Sequence, residues 1–267
     1  MLESNLAGKQ PHRNRGMRPS SQHRHSFESS IWRALRHDGD DQLIIEFPGK
    51  GRLRARKVVK RSNARSTGKY PSIKAMRMLQ FESKHEMHAM QLLDAYPDVS
   101  SFTEQPCVIH YGQGGKLRRH YPDFLVETIS HGKEFWEVKP RREAQSPEVI
   151  GRTEQLTRLL APRGYGYRLV CAEDIVKEPR FSNVKMIIGL GRAVVVSDQL
   201  RELLRRVFRD CGVVTWGVFD RSIRGVDYRP YVCRLILDGV LAFDMHQALT
   251  GDTRIYWVRQ GGWKEVL

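Results

Sequence analysis

The chain has 267 residues with a net charge of +15 and a pI near 9.9, a length that suggests two domains or one with long extensions. No apolar run approaches the roughly 18 residues that span a bilayer, and residues 1–30 lack an apolar signal core, so a cytoplasmic protein without a membrane partner is expected. Cys107, Cys171, Cys211 and Cys233 stand singly, which indicates neither a zinc cluster nor a disulfide framework. The positive charge is uneven: residues 1–80 hold 18 Lys or Arg against 6 Asp or Glu, +12 of the total. Such a surface suits a polyanion, and nucleic acid fits better than a membrane because no basic amphipathic helix accompanies the charge.

In chain order, residues 1–30 are rich in Arg, His, Ser, Gln and Pro and cannot bury enough apolar surface to order. With the residues up to 55 they make a basic, largely disordered arm, interrupted by a short helix at 31–35 and a short strand at 42–47. A dense basic run follows: Arg52, Arg54, Arg56, Lys57, Lys60, Arg61, Arg65, Lys69 and Lys74. Beside a nucleic-acid enzyme this run would track phosphates without reading sequence; otherwise it is a solvated arm. A helix is expected over 83–95, with Met87, Met90, Leu92 and Leu93 on its apolar face and a stop at Tyr96-Pro97. Residues 107–111 read as the first strand of the central sheet.

Tyr121-Pro122-Asp123-Phe124-Leu125-Val126-Glu127 and Phe135-Trp136-Glu137-Val138-Lys139 then read as two strands joined by a turn at Gly132. Alternation puts Asp123 and Leu125 opposite Phe124 and Val126, and sets Glu137 and Lys139 on one face with Trp136 and Val138 turned to the interior. Two carboxylates and an ammonium converge. Asp123 and Glu137 are hard oxygen ligands suited to Mg²⁺, with Mn²⁺ as a substitute. Lys139 would assist an attacking water and neutralise charge on a phosphate, the chemistry of metal-assisted phosphodiester hydrolysis. The alternative is an amphipathic hairpin whose Glu and Lys form a solvated cross-strand pair. Beyond Pro140, a helix over 147–160 with Val149, Leu156, Leu159 and Leu160 as its stripe leads to a strand at 167–171, giving a mixed sheet.

Pro122-Asp123, thirteen residues, then Glu137-Val138-Lys139 matches the PD-(D/E)xK pattern of restriction-type nucleases. Together with Gly68-Lys69-Tyr70-Pro71-Ser72, Glu82-Ser83-Lys84-His85-Glu86 and Glu104-Gln105-Pro106, the order of motifs resembles the TnsA endonuclease family of heteromeric transposases. The resemblance implies an α/β restriction-endonuclease-like core over 56–180 and a third acidic residue on the helix, Glu86, with Glu82 the other candidate four residues away on the same face. It implies cutting at the 5′ sides of transposon ends in duplex DNA, beside an integrase-type transposase subunit and an ATP-dependent regulator. Gln105 is a weak candidate for orienting a phosphate or water. No role in catalysis is assigned to His85, His88, His110 or His120, the last being better suited to phosphate contact beside Arg118 and Arg119.

From 181 onward a second unit is expected. Ser197-Asp198 caps a helix with Leu200, Leu203, Leu204, Val207 and Phe208, closed by Gly212. Short helices at 216–223 and 230–237, then a hairpin around Thr250-Gly251-Asp252, complete a winged-helix pattern. Its Arg229, Arg234 and Arg254 either face DNA or belong to a protein-docking unit, as the resemblance suggests. The rival readings of the whole chain are a free-standing restriction or repair nuclease and a non-catalytic DNA-binding accessory protein.

Overall fold

Alternating burial along four strands decides the centre of the molecule. The computed structural model describes residues 42–52, 54–55, 67–220 and 225–258; the expected helix at 31–35 and the basic residues Arg56, Lys57, Lys60, Arg61 and Arg65 lie outside them. The central sheet runs β4 (Val99–Glu104), β7 (Phe124–Thr128), β8 (Gly132–Lys139), β9 (Tyr165–Cys171). The first two pairings are antiparallel and β8–β9 is parallel, reached through α2 (Arg141–Ala144) and α3 (Pro147–Leu160). Phe124 pairs with Trp136 and Leu125 with Phe135, so the hairpin keeps the expected alternation.

One face of the sheet carries Phe124, Val126 and Val138 against α1 (Lys84–Ala95), which contributes Ala89, Met90, Leu92 and Leu93. The other carries Phe135 and Tyr167 against Leu156, Leu159 and Leu160 of α3. A second sheet, β1 (Leu43–Glu46), β5 (Val108–Gln113) and β6 (Lys116–His120), closes this side with Leu43, Ile109 and Tyr111. The apolar run at 107–111 is therefore not the first strand of the central sheet. That position belongs to β4, whose Val-Ser-Ser-Phe-Thr-Glu sequence reads as polar because it lies at the sheet edge, with only Val99, Phe102 and Glu104 buried.

A hairpin of β2 (Gly68–Ser72) and β3 (Arg77–Phe81) packs on α1. Its turn is held by Asp94, whose carboxylate accepts from the Tyr70 and Ser72 hydroxyls at 2.8 Å each and from the Ile73 and Lys74 N–H groups at 3.0 and 3.1 Å.

After α4 (Ala172–Ile175), α5 (Arg180–Gly191) runs into α6 (Asp198–Cys211), β10 (Val214–Thr215), a single 3-10 turn at Trp216–Val218, α7 (Arg229–Leu237), β11 (Leu241–Ala242) and β12 (Arg254–Trp257). The last sheet is ordered β10-β12-β11. The large core does not stop at residue 180: Phe181, Val184, Ile187, Leu235, Ile236 and Ile255 belong to one cluster with Phe124 and Val138. No helix among the described residues is long and apolar enough to cross a membrane.

Candidate active site

Ser83 starts α1 by accepting from the Glu86 N–H at 3.1 Å, and the Glu86 carboxylate reaches back to the Glu82 N–H at 2.9 Å and the Ser83 hydroxyl at 3.1 Å. This reciprocal cap satisfies donors that the first turn would leave unpaired, and it aims the start of α1 at the end of the β7–β8 hairpin. Asp123 sits at the mouth of β7. Its N–H donates to the Trp136 carbonyl at 2.9 Å, its carbonyl accepts from the Gln105 N–H at 2.8 Å, and its Oδ2 accepts from the Val138 N–H at 2.8 Å. Burial, then the charge of Glu86, push the Asp123 carboxyl up to about 7, against the Val138 hydrogen bond; Glu137 adds to the rise.

Glu137 is buried at 4 % exposure. Arg152 Nη2 donates to its Oε1 at 2.8 Å and Lys139 Nζ stands 3.8 Å from the same oxygen; the Tyr167 hydroxyl donates to Oε2 at 2.7 Å. Burial alone would raise this carboxyl, but His120, Tyr167 and Arg152 together hold it below the usual range. Because the single Tyr167 proton goes to Glu137, His120 Nε2, 2.9 Å from the phenol oxygen, is the donor of that contact. Desolvation lowers the His120 imidazole to about 4, so it is neutral at physiological pH. Lys139 Nζ lies 3.9 Å from Glu143 on its other side.

Glu86, His120, Asp123, Glu137, Lys139, Glu143 and Arg152 line one cleft of about 730 Å³, whose wall also includes Glu82, Lys84, His85 and Arg119. Glu86, Asp123, Glu137 and Lys139 thus meet from three separate segments. Both helix glutamates reach the cleft, and Glu86 is the one whose charge is felt by Asp123. Gln105 is not part of the cleft lining: it is 2 % exposed, holds φ of 49°, and its backbone braces Asp123. His120 lines the cleft at 8 % exposure, with its Nε2 engaged by the Tyr167 hydroxyl.

Of the described members of the basic run, Arg52 and Lys69 are exposed, while two serve the fold instead. Arg54 Nε lies 2.6 Å from Glu104, a carboxylate at 1 % exposure that also takes both Arg77 Nη atoms at 2.6 and 2.9 Å. Lys74 donates to the Leu93 carbonyl at 3.0 Å and to the Tyr96 carbonyl, at the C-terminal end of α1. Buried carboxylates and helix-end carbonyls attract cations that composition alone assigns to solvent.

Arg152 and Glu143 on the cleft wall, and Tyr167 behind it on Glu137, are not selected by the sequence. Arg152 had a signal, since it falls three residues after Val149 and four before Leu156, in the apolar stripe of α3. Tyr167 had none, and the sequence singles out His120 only for phosphate contact. Among the described residues no three His, Cys, Asp or Glu side chains are set to hold a metal ion as they stand. The donor set is nonetheless all oxygen and excess negative, which fits Mg²⁺, an ion that takes one or two carboxylates and keeps several waters.

No curated protein matches the chain. A family model described as TnsA-like endonuclease N terminal matches residues 96–171, the stretch that holds Asp123, Glu137, Lys139, His120, Arg152 and Tyr167. The strand-borne Pro-Asp and Glu-Val-Lys motifs lie inside that match, so this stretch of the chain is similar to the N-terminal domain of TnsA-like endonucleases.

Proposed function

We propose that the chain is the metal-dependent DNA endonuclease subunit of a heteromeric transposase, hydrolysing phosphodiesters at the 5′ sides of transposon ends. The observation that supports this reading is the meeting of Glu86, Asp123, Glu137 and Lys139 in one cleft of a TnsA-like domain. Asp123 and Glu137 would hold Mg²⁺ or Mn²⁺, with Glu86 completing the acidic set. A bound divalent ion would supply Lewis acidity toward a phosphoryl oxygen and lower the pKa of water. Lys139, in hydrogen-bonding range of neither neighbouring carboxylate, is available to a phosphate oxygen or the attacking water. Tyr167, itself hydrogen-bonded to His120, donates to one oxygen of the Glu137 carboxylate, and Arg152 to the other.

The C-terminal unit reads as a winged-helix-like fold by the order α6, 3-10 turn, α7 and the sheet β10-β12-β11. The helix expected at 216–223 is only the turn Trp216–Val218 among its described residues. Two observations favour protein docking over groove reading for this unit. Arg229 is paired with Asp227 at 2.8 Å, and Arg234 with Asp238 at 2.9 Å and the Val194 carbonyl at 3.2 Å. In addition, α7 buries Val232, Cys233, Leu235, Ile236 and Leu237, and α5 lies so close that a Cβ at Gly191 would fall 2.7 Å from Arg234 N. A helix covered on both sides is not free to enter a major groove. The ATP-dependent regulator is the partner this surface would meet.

The test is strand-resolved nicking of duplex transposon ends in Mg²⁺, by the chain alone and with its transposase and regulator. Cuts at 5′ sides only in the complete mixture are expected. Efficient cutting by the chain alone would favour a free-standing nuclease, and absence of cutting in both would favour a binding protein. Asp123→Ala is expected to abolish cleavage and retain DNA binding and fold; a variant that still cuts would overturn the assignment.

A further inference from the structure

The two oxygens of Glu137 have different neighbours. Oε2 faces the Tyr167 hydroxyl and His120, whereas Oε1 faces two cations, Arg152 at 2.8 Å and Lys139 at 3.8 Å. Arg152 reaches it from α3, at a position where the apolar stripe would otherwise continue. Its side chain is 16 % exposed and borders the cleft, and its buried Nε has no hydrogen-bond partner among the described residues. A carboxylate already neutralised by an arginine is a poor ligand. The guanidinium charge repels a divalent ion across a few ångströms of partly buried space, and that repulsion exceeds what a single hydrogen bond contributes by orienting the ligand.

We propose that Arg152 is an internal counter-cation that keeps the carboxylate cleft a weak metal site until duplex DNA enters. Phosphate charge then offsets the guanidinium, so that metal and DNA load together. Arg152 is a positioning residue in this scheme: it acts through Glu137 and sets when that side chain becomes a ligand. The coupling is reciprocal, so Mn²⁺ also tightens DNA binding. The proposal rests on the nuclease reading of the cleft.

The experiment titrates Mn²⁺ into the full chain, following free ion by electron paramagnetic resonance, with and without a phosphorothioate-protected duplex and after subtraction of ion held by DNA alone. For the unsubstituted chain the duplex is expected to raise Mn²⁺ affinity about tenfold or more, within the usual range of coupling between two ligands. Arg152→Gln and Arg152→Met are expected to bind Mn²⁺ about tenfold more tightly without DNA and to gain less from the duplex, while Arg152→Lys, which keeps the charge, stays near the unsubstituted chain. Folded Gln or Met variants that bind no more tightly than the unsubstituted chain, or a Lys variant that behaves as Gln does, would overturn it. So would absence of any duplex effect on the unsubstituted chain, an arm that needs no variant to fold. If Asp123→Ala binds Mn²⁺ as well as the unsubstituted chain, the nuclease reading of the cleft itself fails.

Discussion

Lys74 shows how a single side chain can reverse the role its composition suggests. Its ammonium lies at the carbonyl end of α1 beside Asp94 and Asp98, and burial drives its pKa down to about 7 against the pull of those carboxylates. The folded state therefore disfavours the charged form. Between about pH 7 and the unfolded value of 10.5 the unfolded chain binds more protons, so stability rises with pH across that window, and the penalty is fully present below it. We expect denaturant unfolding to give a gain on the order of 1–2 kcal/mol from pH 7 to 9, after discounting for partial solvent access, and Lys74→Met to flatten that slope. An unchanged slope in the methionine variant would show that the amine is solvated. Composition marked Lys74 as basic, and nothing local distinguished it from Lys69; only the approach of α1, some twenty residues later, makes it a cap.

At the scale of elements, the start of α1 and the contact of α5 with α7 carry the sharpest expectations. Ser83→Ala removes the hydroxyl that accepts from Glu86 N–H and donates to the Glu86 carboxylate, which should cost about 1 kcal/mol, read as a melting temperature lower by roughly 2–4 °C. The same change releases one restraint on Glu86, so a difference in Mn²⁺ affinity would report on the cleft separately from stability. Gly191→Ala puts a methyl 2.7 Å from the Arg234 N and the Cys233 carbonyl carbon, backbone atoms that cannot rotate away. A loss of about 1–3 kcal/mol is expected from the forced separation of the helices, and a neutral result in thermal unfolding would mean that α5 and α7 are not locked together. The helices at 83–95 and 147–160 and the strand pair around Gly132 were legible because apolar residues recur at helical or alternating spacing. The first strand of the central sheet was misread since β4, at an edge, carries few apolar residues, while the more apolar 107–111 run serves a different sheet.

For the whole molecule, the continuity of the large core from Tyr70 to Ile255 governs what can be cut away. A chain ending at residue 179 would strip from the large core Phe181, Val184 and Ile187 of α5, whose Phe181 ring packs on His88 of α1, together with the apolar residues of α7. We expect it to aggregate or to bind a dye for exposed apolar surface, whereas two independent domains would leave a soluble, cooperatively melting fragment. If the proposed function holds, salt titration of DNA binding by the intact chain should show a steep loss of affinity, since a +15 charge would act through phosphate neutralisation.

The sequence by itself determined the alternation that sets Asp123, Glu137 and Lys139 on one side of a hairpin, because a strand's period of two is a local rule that neighbours enforce. It also determined the cap that holds Glu86, a five-residue segment from Glu82 to Glu86 that needs no distant partner. The tertiary structure alone decided that Arg152, Tyr167 and His120 surround Glu137, that Arg54 and Lys74 face inward, and that α5 covers α7. Those contacts join residues 15 to 50 positions apart in the chain. Charge and hydroxyl groups carry no periodic mark of the partner they will meet; packing of the sheets against the helices selects it.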